Sequence, residues 1–354
     1  MQNNTDGVPE IFRKKVERLI EINEAYAIQY FDQLLLLEAY KKKHPTRVVV
    51  FKCSDGRMLF AHFTGTPLGY LHNFRNLGGQ FNFGWKGLQS AFNYHVKEAS
   101  NDNSGCLAIV TYHYSEGDAK RGCKANNFDK VISIRGAERF ARQIRTAYKD
   151  IGYPASVDVV VVGVETDEDA LILHGENGDH QPVNLGDSSP TVSEKELLQK
   201  IRVLFPSMST TMCVDFLPLI HNNIKHIAKV RKTKRPITEL DHNEFVVGIG
   251  GSLAFDWFHI PNIAILVGQH NPNVERPIKS ALEVIKPNAK KEGFILLSGA
   301  SYGKHNPEAF ALAEAKYYSR LGQELVKQYH PELLEFMYPM KILLNTETQK
   351  FKMF

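Results

Sequence analysis

The residues best suited to chemistry lie in two short blocks, each at the end of an apolar run. Cys53, Asp55 and Arg57 follow the first run. His113 closes the second, and Cys123 lies ten residues further on. Because sites in open α/β sheets form beyond the carboxyl ends of parallel strands, the two blocks are expected to meet. Two thiolates and an imidazole suit zinc, and three protein ligands leave a fourth position open, as in catalytic sites. The sequence therefore predicts a catalytic zinc ion held by Cys53, His113 and Cys123.

Asp55 and Arg57 are the predicted catalytic residues beside this metal. An arginine two residues after a carboxylate can bind it through two parallel hydrogen bonds. Such a pair would keep Asp55 ionised and hold it away from the zinc ion. Zinc lowers the pKa of a bound water from about 15.7 towards 7. Asp55 is then placed to orient the resulting hydroxide.

The elements that must position these residues alternate between strands and helices. Short valine- and isoleucine-rich runs are typical of buried parallel strands, and stretches with helical apolar spacing separate them. The predicted strands are 47–52, 105–112 and 157–164, and the predicted helices are 82–98 and 129–150, after a helical segment at 9–44. A loop is predicted at 175–193, followed by a helix that starts with a capping box. This alternation predicts an α/β fold with a mostly parallel sheet.

The second half of the chain repeats the order of elements in the first half. Residues 245–249 parallel 48–52, residues 293–302 parallel 105–114, and residues 340–354 parallel 160–174. We therefore predict two tandem units, each a mostly parallel sheet flanked by helices. The predicted domains are an N-terminal helical arm (1–46), a zinc-binding α/β domain (47–185), a helical linker (186–243) and a degenerate α/β repeat (244–354).

The repeat lacks the polar groups of the first unit. The positions that match the two blocks hold Gly250, Ser252, Ala254 and Ser301, and no cysteine follows Cys213. Because the second unit lacks these ligands, we predict one zinc ion per chain, held by the first unit.

Three motifs together resemble the β-class carbonic anhydrases. They are CSDGR at 53–57, FRNLGG at 74–79, and a strand that ends in a histidine followed by a cysteine. The resemblance covers about residues 10–175. It implies zinc-dependent, reversible hydration of carbon dioxide to bicarbonate by a metal-bound hydroxide. It also implies pairing of two α/β units, and thus a homodimer or a higher oligomer.

One departure from the family pattern concerns Cys123. Nine residues separate it from His113, where the family usually has two. The carboxysomal shell carbonic anhydrases, a divergent branch, are similar in this spacing and in carrying a degenerate second half. Cys123 is accordingly the ligand with the weakest match.

Composition excludes several other classes of function. The net charge is only +4, which does not predict nucleic-acid binding. The basic run at 229–235 is predicted to be a solvated linker, with an anionic-partner patch as the alternative. No apolar run is long enough to predict a membrane span. Four cysteines in a chain without a secretory signal pattern indicate reduced thiols and a cytoplasmic location, with a cytoplasmic microcompartment left open.

Three alternatives remain open from the sequence. A hydrolase of carbonyl sulfide or carbon disulfide could use the same zinc site. A non-catalytic, zinc-stabilised binding protein would need no Asp55–Arg57 pair. A cysteine-nucleophile enzyme could use Cys53 with His113 and no metal.

The sequence also offers candidate proton carriers and candidate pocket residues. Residues of these types more typically lie at ordinary surface or core positions. The candidate proton carriers are His62, His72 and His95, and the candidate pocket residues are Phe74, Phe81 and Phe83. Arg75 and the turn at 76–79 are expected to lie beside the site, where glycines allow close backbone approach.

Overall fold

The computed structural model describes residues 5–149, 156–176, 178, 180–233, 235–258, 264–267, 270–304 and 306–354. Its helices are α1 (Glu10–Asp32), α2 (Leu34–Lys43), α3 (Phe60–Phe63), α4 (Lys86–Asn101), α5 (Lys130–Lys149), α6 (Glu194–Leu204), α7 (Thr210–Thr233), α8 (Ile237–Leu240), α9 (Glu275–Glu292) and α10 (Glu308–Tyr329). Among these described residues, no helix combines the length and the apolar character needed to cross a bilayer.

The first unit is built on a mostly parallel sheet with strand order β2-β1-β3-β4-β5-β6. Its strands are β1 (Arg47–Cys53), β2 (Leu71–Asn76), β3 (Cys106–Tyr114), β4 (Val157–Glu165), β5 (Ala170–His174) and β6 (Val183–Asn184). The strands β1 to β4 pair in parallel, and β5 and β6 are antiparallel additions at one edge. Apolar side chains cover both faces of β1 and β3, which is why these strands are continuous apolar runs.

The second unit repeats this topology. Its strands are β7 (Val246–Gly250), β8 (Ala264–Val267), β9 (Phe294–Tyr302), β10 (Met337–Asn345) and β11 (Phe351–Met353). Their order, β8-β7-β9-β10-β11, matches β2-β1-β3-β4-β5, again with only the last strand antiparallel. The predicted fold class, two α/β units with an N-terminal helical arm, is confirmed. The domain boundaries stay predictions.

Strand register shifts the match between the two units by one residue. Ala108 on β3 pairs with Val49, whereas its counterpart Leu296 on β9 pairs with Val247. Counting four residues on from Val247, the position equivalent to Cys53 is Gly251. The sequence match with Gly250 was therefore displaced by one residue, although neither position offers a ligand.

Several local predictions were wrong. The edge strands β2 and β8 were not predicted, and α4 begins at Lys86 rather than at residue 82. The predicted helix at 129–150 extends to Lys149, and Asp150 lies outside the described residues. The capping box of α6 is present as predicted, with Ser193 and Glu196 bonded reciprocally.

The basic run at 229–235 is solvent-exposed over most of its described length, as predicted, but it is helical and anchored rather than a free linker. Most of it is the last turn of α7, and Lys234 lies outside the described residues. Arg231 donates to the Glu168 carboxylate, and Arg235 donates to Asp169. These arginines fasten α7 and the chain after it to the turn between β4 and β5.

The N-terminal helices connect the two units. Apolar residues of α1, including Val16 and Leu19, pack in the core of the second unit, whereas Leu37 of α2 packs in the first. The Asn23 side chain on α1 donates to Gln349 O and accepts from Phe351 N, at 2.9 Å in both cases. The arm is thus an integral part of both cores.

Candidate metal centre

The structure brings Cys53, His113 and Cys123 together. Their ligand atoms all lie within 4.8 Å of one another, and all three residues are buried. Cys53 is the last residue of β1 and His113 is the penultimate residue of β3. Because these parallel strands are neighbours, their carboxyl ends meet at one edge of the sheet. Cys123 reaches the same point from the loop that follows β3.

The surroundings of His113 fit a metal ligand. Both of its ring nitrogens are buried, and neither has a hydrogen-bond partner among the described residues. A buried polar group without a partner is costly, and a coordinating cation would satisfy one of the two nitrogens. Two sulfur atoms and one imidazole nitrogen form a donor set that suits zinc.

A hydrogen bond links the side chains of Cys53 and Cys123. The hydrogen bond from Cys123, together with the neighbouring His113, lowers the pKa of Cys53 well below its usual value against the opposing effect of burial. The same hydrogen bond and burial raise the pKa of Cys123 well above its usual value. Cys53 is therefore the thiol that loses its proton first.

Asp55 and Arg57 form a buried, two-pronged ion pair. Arg57 Nη2 lies 2.6 Å from Asp55 Oδ2, and Arg57 Nε lies 3.1 Å from Oδ1. The Arg57 backbone N–H also donates to Oδ1, at 2.9 Å. Burial raises the pKa of the Asp55 carboxyl, but Arg57 outweighs it, so that this pKa lies below its ordinary range. Asp55 is thus an ionised hydrogen-bond acceptor beside the cluster.

The turn after β2 lies directly against the end of β1. Gly79 has a positive φ of 62°, and a Cβ there would lie 3.2 Å from Thr111 O and 3.5 Å from Cys53 N. The expected close backbone approach is confirmed. Arg75, on β2, is buried and donates to Ser54 O and to Phe258 O, so it fastens the first block to the second unit.

The insert between His113 and Cys123 is held at several points. Arg121 Nε lies 2.7 Å from Asp241 Oδ1, and its Nη1 lies 3.9 Å from Asp167. Ser115 donates to Asp167, and Glu116 N donates to Glu165 at 3.1 Å. These contacts explain how a ligand after nine intervening residues can still be positioned.

Sequence reasoning missed His242 and Glu244, which lie between the two units. His242 Nδ1 is 2.9 Å from Glu244 Oε1, and His242 Nε2 is 3.1 Å from Gly122 O. Both side chains lie within 4.8 Å of an Asp55 oxygen. Burial lowers the pKa of His242, but Glu244 outweighs it, and the net shift is upward. The only sequence signal was a short polar cluster, DHNE at 241–244, directly before an apolar strand.

The space beside the ligands is a cavity of about 20 Å³, large enough for one water. Its apolar wall comes from both units, with Leu77 and Ala125 on one side and Ile265 and Val284 on the other. The phenylalanines proposed from the sequence do not line this cavity. They pack in the core beneath α4 and α5; these residues are Phe74, Phe81 and Phe83.

The histidines proposed as proton carriers also lie elsewhere. His72 and His95 stack on each other with ring centroids 4.4 Å apart, and His62 packs against His226 at 5.0 Å. Burial and Arg47 lower the pKa of His95 to about 3. The histidines that line the metal cavity are His113 and His242.

A family model described as the catalytic domain of carboxysome shell carbonic anhydrase matches residues 84–201. The matched segment includes His113 and Cys123 and spans about a third of the chain.

Two proteins named carboxysome shell carbonic anhydrase are similar to the chain over a longer segment. The one from Prochlorococcus marinus subsp. pastoris is 25% identical over an alignment of 240 residues, and the match covers 60% of this chain and 46% of that protein. The one from Parasynechococcus marenigrum is 23% identical over an alignment of 243 residues, and the match covers 60% of this chain and 41% of that protein. The chain thus spans less than half the length of the curated relatives it matches.

Two solved structures overlap with parts of the chain. The β-carbonic anhydrase CcaA aligns at 20% identity and a TM-score of 0.32, covering 48% of this chain and 92% of that one. A carbonic anhydrase from Streptococcus mutans aligns at 18% identity and a TM-score of 0.26, covering 41% and 96%. These scores are too low to carry an argument, so the assignment is based on the sequence matches. By sequence, the chain is similar to the carboxysome shell carbonic anhydrases, from which it has diverged.

Proposed function

We propose that this chain is a zinc-dependent carbonic anhydrase, which hydrates carbon dioxide reversibly to bicarbonate. The observation that carries the proposal is the meeting of Cys53, His113 and Cys123 beside the Asp55–Arg57 pair. A structural zinc site does not require an ionised aspartate that an arginine keeps away from the metal. A site that orients a hydroxide does require such a hydrogen-bond acceptor. The sequence relatives named as carbonic anhydrases agree with this chemistry.

Zinc held by the three ligands would supply hydroxide at neutral pH by lowering the pKa of a bound water. The residues of the chain would orient and surround the reactants. Asp55, kept ionised by Arg57, accepts a hydrogen bond and so fixes the direction of the attacking oxygen. The apolar wall of Leu77, Ile265 and Val284 suits carbon dioxide, which offers few groups to hydrogen-bond.

His242 is placed to take the proton that the reaction releases. It lines the same cavity, and Glu244 stabilises its imidazolium form. With a protonated ring, Nδ1 donates to Glu244 and Nε2 donates to Gly122 O. When the ring is neutral with its proton on Nδ1, Nε2 can accept from Arg57 Nη2, 3.3 Å away. The ring therefore has suitable partners in both protonation states.

The test combines metal analysis with stopped-flow measurement of carbon dioxide hydration. We expect one zinc per chain and activity in the wild-type protein, and loss of activity in Cys53→Ala, His113→Ala and Asp55→Ala. Zinc should be lost from the first two variants and retained in Asp55→Ala. No metal in the wild type, or full activity in Cys53→Ala, would refute the proposal.

Substrate assays distinguish the alternatives that share the site. Turnover of carbonyl sulfide or carbon disulfide without carbon dioxide hydration would identify a hydrolase. Zinc without either activity would identify a binding protein. Alkylation of Cys53 at the same rate with and without zinc would point to a cysteine nucleophile.

We further propose a cytoplasmic location, which the four unpaired cysteines favour. The name of the relatives refers to a carboxysome shell, and that assignment belongs to those proteins. Imaging of a fluorescent fusion in the native cell tests the proposal. A diffuse signal is expected, and punctate bodies would indicate a microcompartment instead.

A further inference from the structure

A second cavity, of about 780 Å³, lies beneath the N-terminal helices, and we call it the arm cavity. Its walls come from α1 and α2, from residues 57–73 and Asp169 of the first unit, from Arg235 and Glu239 after α7, and from Asp256 and Trp257 of the second unit. The exposed residues Glu21 and Leu36 lie at its rim, so it opens to solvent. Its volume falls within the roughly 300–1,000 Å³ that is usual for small-molecule sites.

Three hydrogen-bond acceptors in the arm cavity have no donor within the described part of the chain. The Oδ1 atoms of Asn73 and Asp169 are buried and without a partner there. The Asp256 carboxylate makes no hydrogen bond or ion pair with the residues that the structure describes. Buried acceptors left unpaired are costly, and natural proteins rarely keep several in one place without a partner.

The cationic side chains that line the cavity already have partners. Arg57 is paired with Asp55, and Arg235 is paired with Asp169. Arg18 lies 3.4 Å from Glu21. Among the described residues, no arginine of the cavity wall is therefore left to recognise an anion.

Charged and titratable groups also lie behind Asp256. Arg75 directs its Nη atoms to the carbonyls of Phe258 and Ser54, and Lys52 donates to Met58 O. Burial raises the pKa of Asp256 to about 7, although Arg75 and Lys52 oppose this. Asp256 is thus a half-buried carboxyl group to which no described residue donates.

Tyr26 faces the same carboxyl group from α1. Burial and the Asp256 charge raise the pKa of the Tyr26 hydroxyl, so it is neutral at physiological pH and can donate or accept a hydrogen bond. Tyr30, stacked on Tyr26, has its pKa raised for the same reasons.

We propose that the arm cavity binds a small organic cation bearing a guanidinium or ammonium group, with Asp256 as its counter-ion. Such a group supplies several N–H donors at one point and lacks acceptors, which complements this wall. A guanidinium group matches a carboxylate with two parallel hydrogen bonds. The site is separate from the metal cavity, and the proposal does not depend on the catalytic activity.

The experiment is calorimetric titration of the full-length, zinc-containing protein with butylguanidinium, butylurea and pentanoate. These probes have similar chains and differ in charge. We expect butylguanidinium to bind at least about tenfold more tightly than butylurea, and pentanoate not to bind. Because binding favours the ionised Asp256, affinity should rise as the pH increases from 6 to 8 through its pKa of about 7.

Two variants locate the binding site. Asp256→Asn should weaken butylguanidinium binding at least about tenfold. Asn73→Ala removes a second acceptor and is the test variant if Asp256→Asn fails to fold. It should weaken butylguanidinium binding by about threefold. Glu347→Gln is the matched control, since Glu347 is an exposed acid of the same unit outside the cavity, and binding should not change. No binding of butylguanidinium at millimolar concentration, tighter binding of pentanoate, or unchanged affinity in the folded cavity variants would overturn the proposal.

Discussion

The two units of this chain share a strand order and differ in the residues at the ends of the corresponding strands. β1 ends in Cys53 and leads into Asp55 and Arg57, whereas the equivalent position after β7 is Gly251. β3 carries His113, and the matching residue on β9 is Ser301. The topology tolerates either set of residues, so the chemistry is determined by a few side chains at the strand ends rather than by the sheet.

The second unit nevertheless contributes to the candidate site. Ile265 and Val284 form part of the wall of the metal cavity. Phe258 O accepts from Arg75, and Lys124 donates to Glu283 O at 3.0 Å. A unit without ligands therefore covers and braces the unit that has them.

The largest expected effect comes from removing the ligand that the second unit lacks. Cys53→Ala should lose its zinc and reduce carbon dioxide hydration by more than about a hundredfold, since even residues that only hydrogen-bond to metal ligands change metal affinity or activity by roughly 10- to 100-fold. Metal analysis and initial rates measure this. Cys213→Ala is the control, because Cys213 is buried in α7 away from the site. Two zinc ions per wild-type chain would contradict the difference between the units.

A second large effect concerns the Asp55–Arg57 pair, which has no counterpart in the repeat. Arg57→Gln should lower the free energy of unfolding by about 3 kcal/mol at pH 7, because it leaves a buried carboxylate without its partner. Since the folded-state pKa of Asp55 is depressed, this contribution is complete above the unfolded value of about 4 and disappears as the pH falls further.

Urea unfolding at pH 7 and at acidic pH measures this contribution. The double variant Asp55→Asn/Arg57→Gln is the control and should lose less stability than Arg57→Gln alone. Equal losses in the single and double variants would show that the arginine contributes through packing and not through the pair.

A smaller effect is expected from replacing His242, the residue between the units that we propose as the proton acceptor. His242→Asn should keep its zinc and lower kcat by about tenfold, less than is usual for a positioned acid–base group, because buffer can accept the proton instead. Added imidazole should restore part of the rate. His180→Asn, at an exposed position, is the control. Unchanged kcat in His242→Asn would remove this residue from the mechanism.

The smallest effect concerns the ion pair between Arg121 and Asp241, which holds the insert that precedes Cys123. Asp241→Asn should weaken zinc binding by about threefold, because Asp241 is half exposed and its ion pair with Arg121 is partly screened by solvent. Competition with a chelator measures the affinity. Asp187→Asn, an exposed acid remote from the insert, should leave it unchanged.

The elements with a strong periodic signal were predictable from the sequence. β1, β3 and β4 are continuous apolar runs, and their shared direction was enough to bring Cys53 and His113 together. Cys123 could be proposed only from its residue type and its place after His113, because its position depends on ion pairs of Arg121 with residues distant in sequence.

The missed features have physical reasons. β2 is an edge strand whose sequence, LHNFRN, alternates too little to indicate a strand, and β8 has only four residues. His242 lies in an irregular segment, and its role depends on how the two units pack. No local pattern carries that information.

The contact of α1 with the last strands has a consequence for biosynthesis. Asn23 bonds to Gln349 and Phe351, more than 300 residues later in the chain. The first helix therefore leaves the ribosome long before its partners have been synthesised. Its apolar face remains without those partners until almost the whole chain has been translated. Contacts of such sequence separation slow folding and leave intermediates prone to aggregation. A nascent chain of this kind would benefit from a chaperone that holds α1 until β11 has been made.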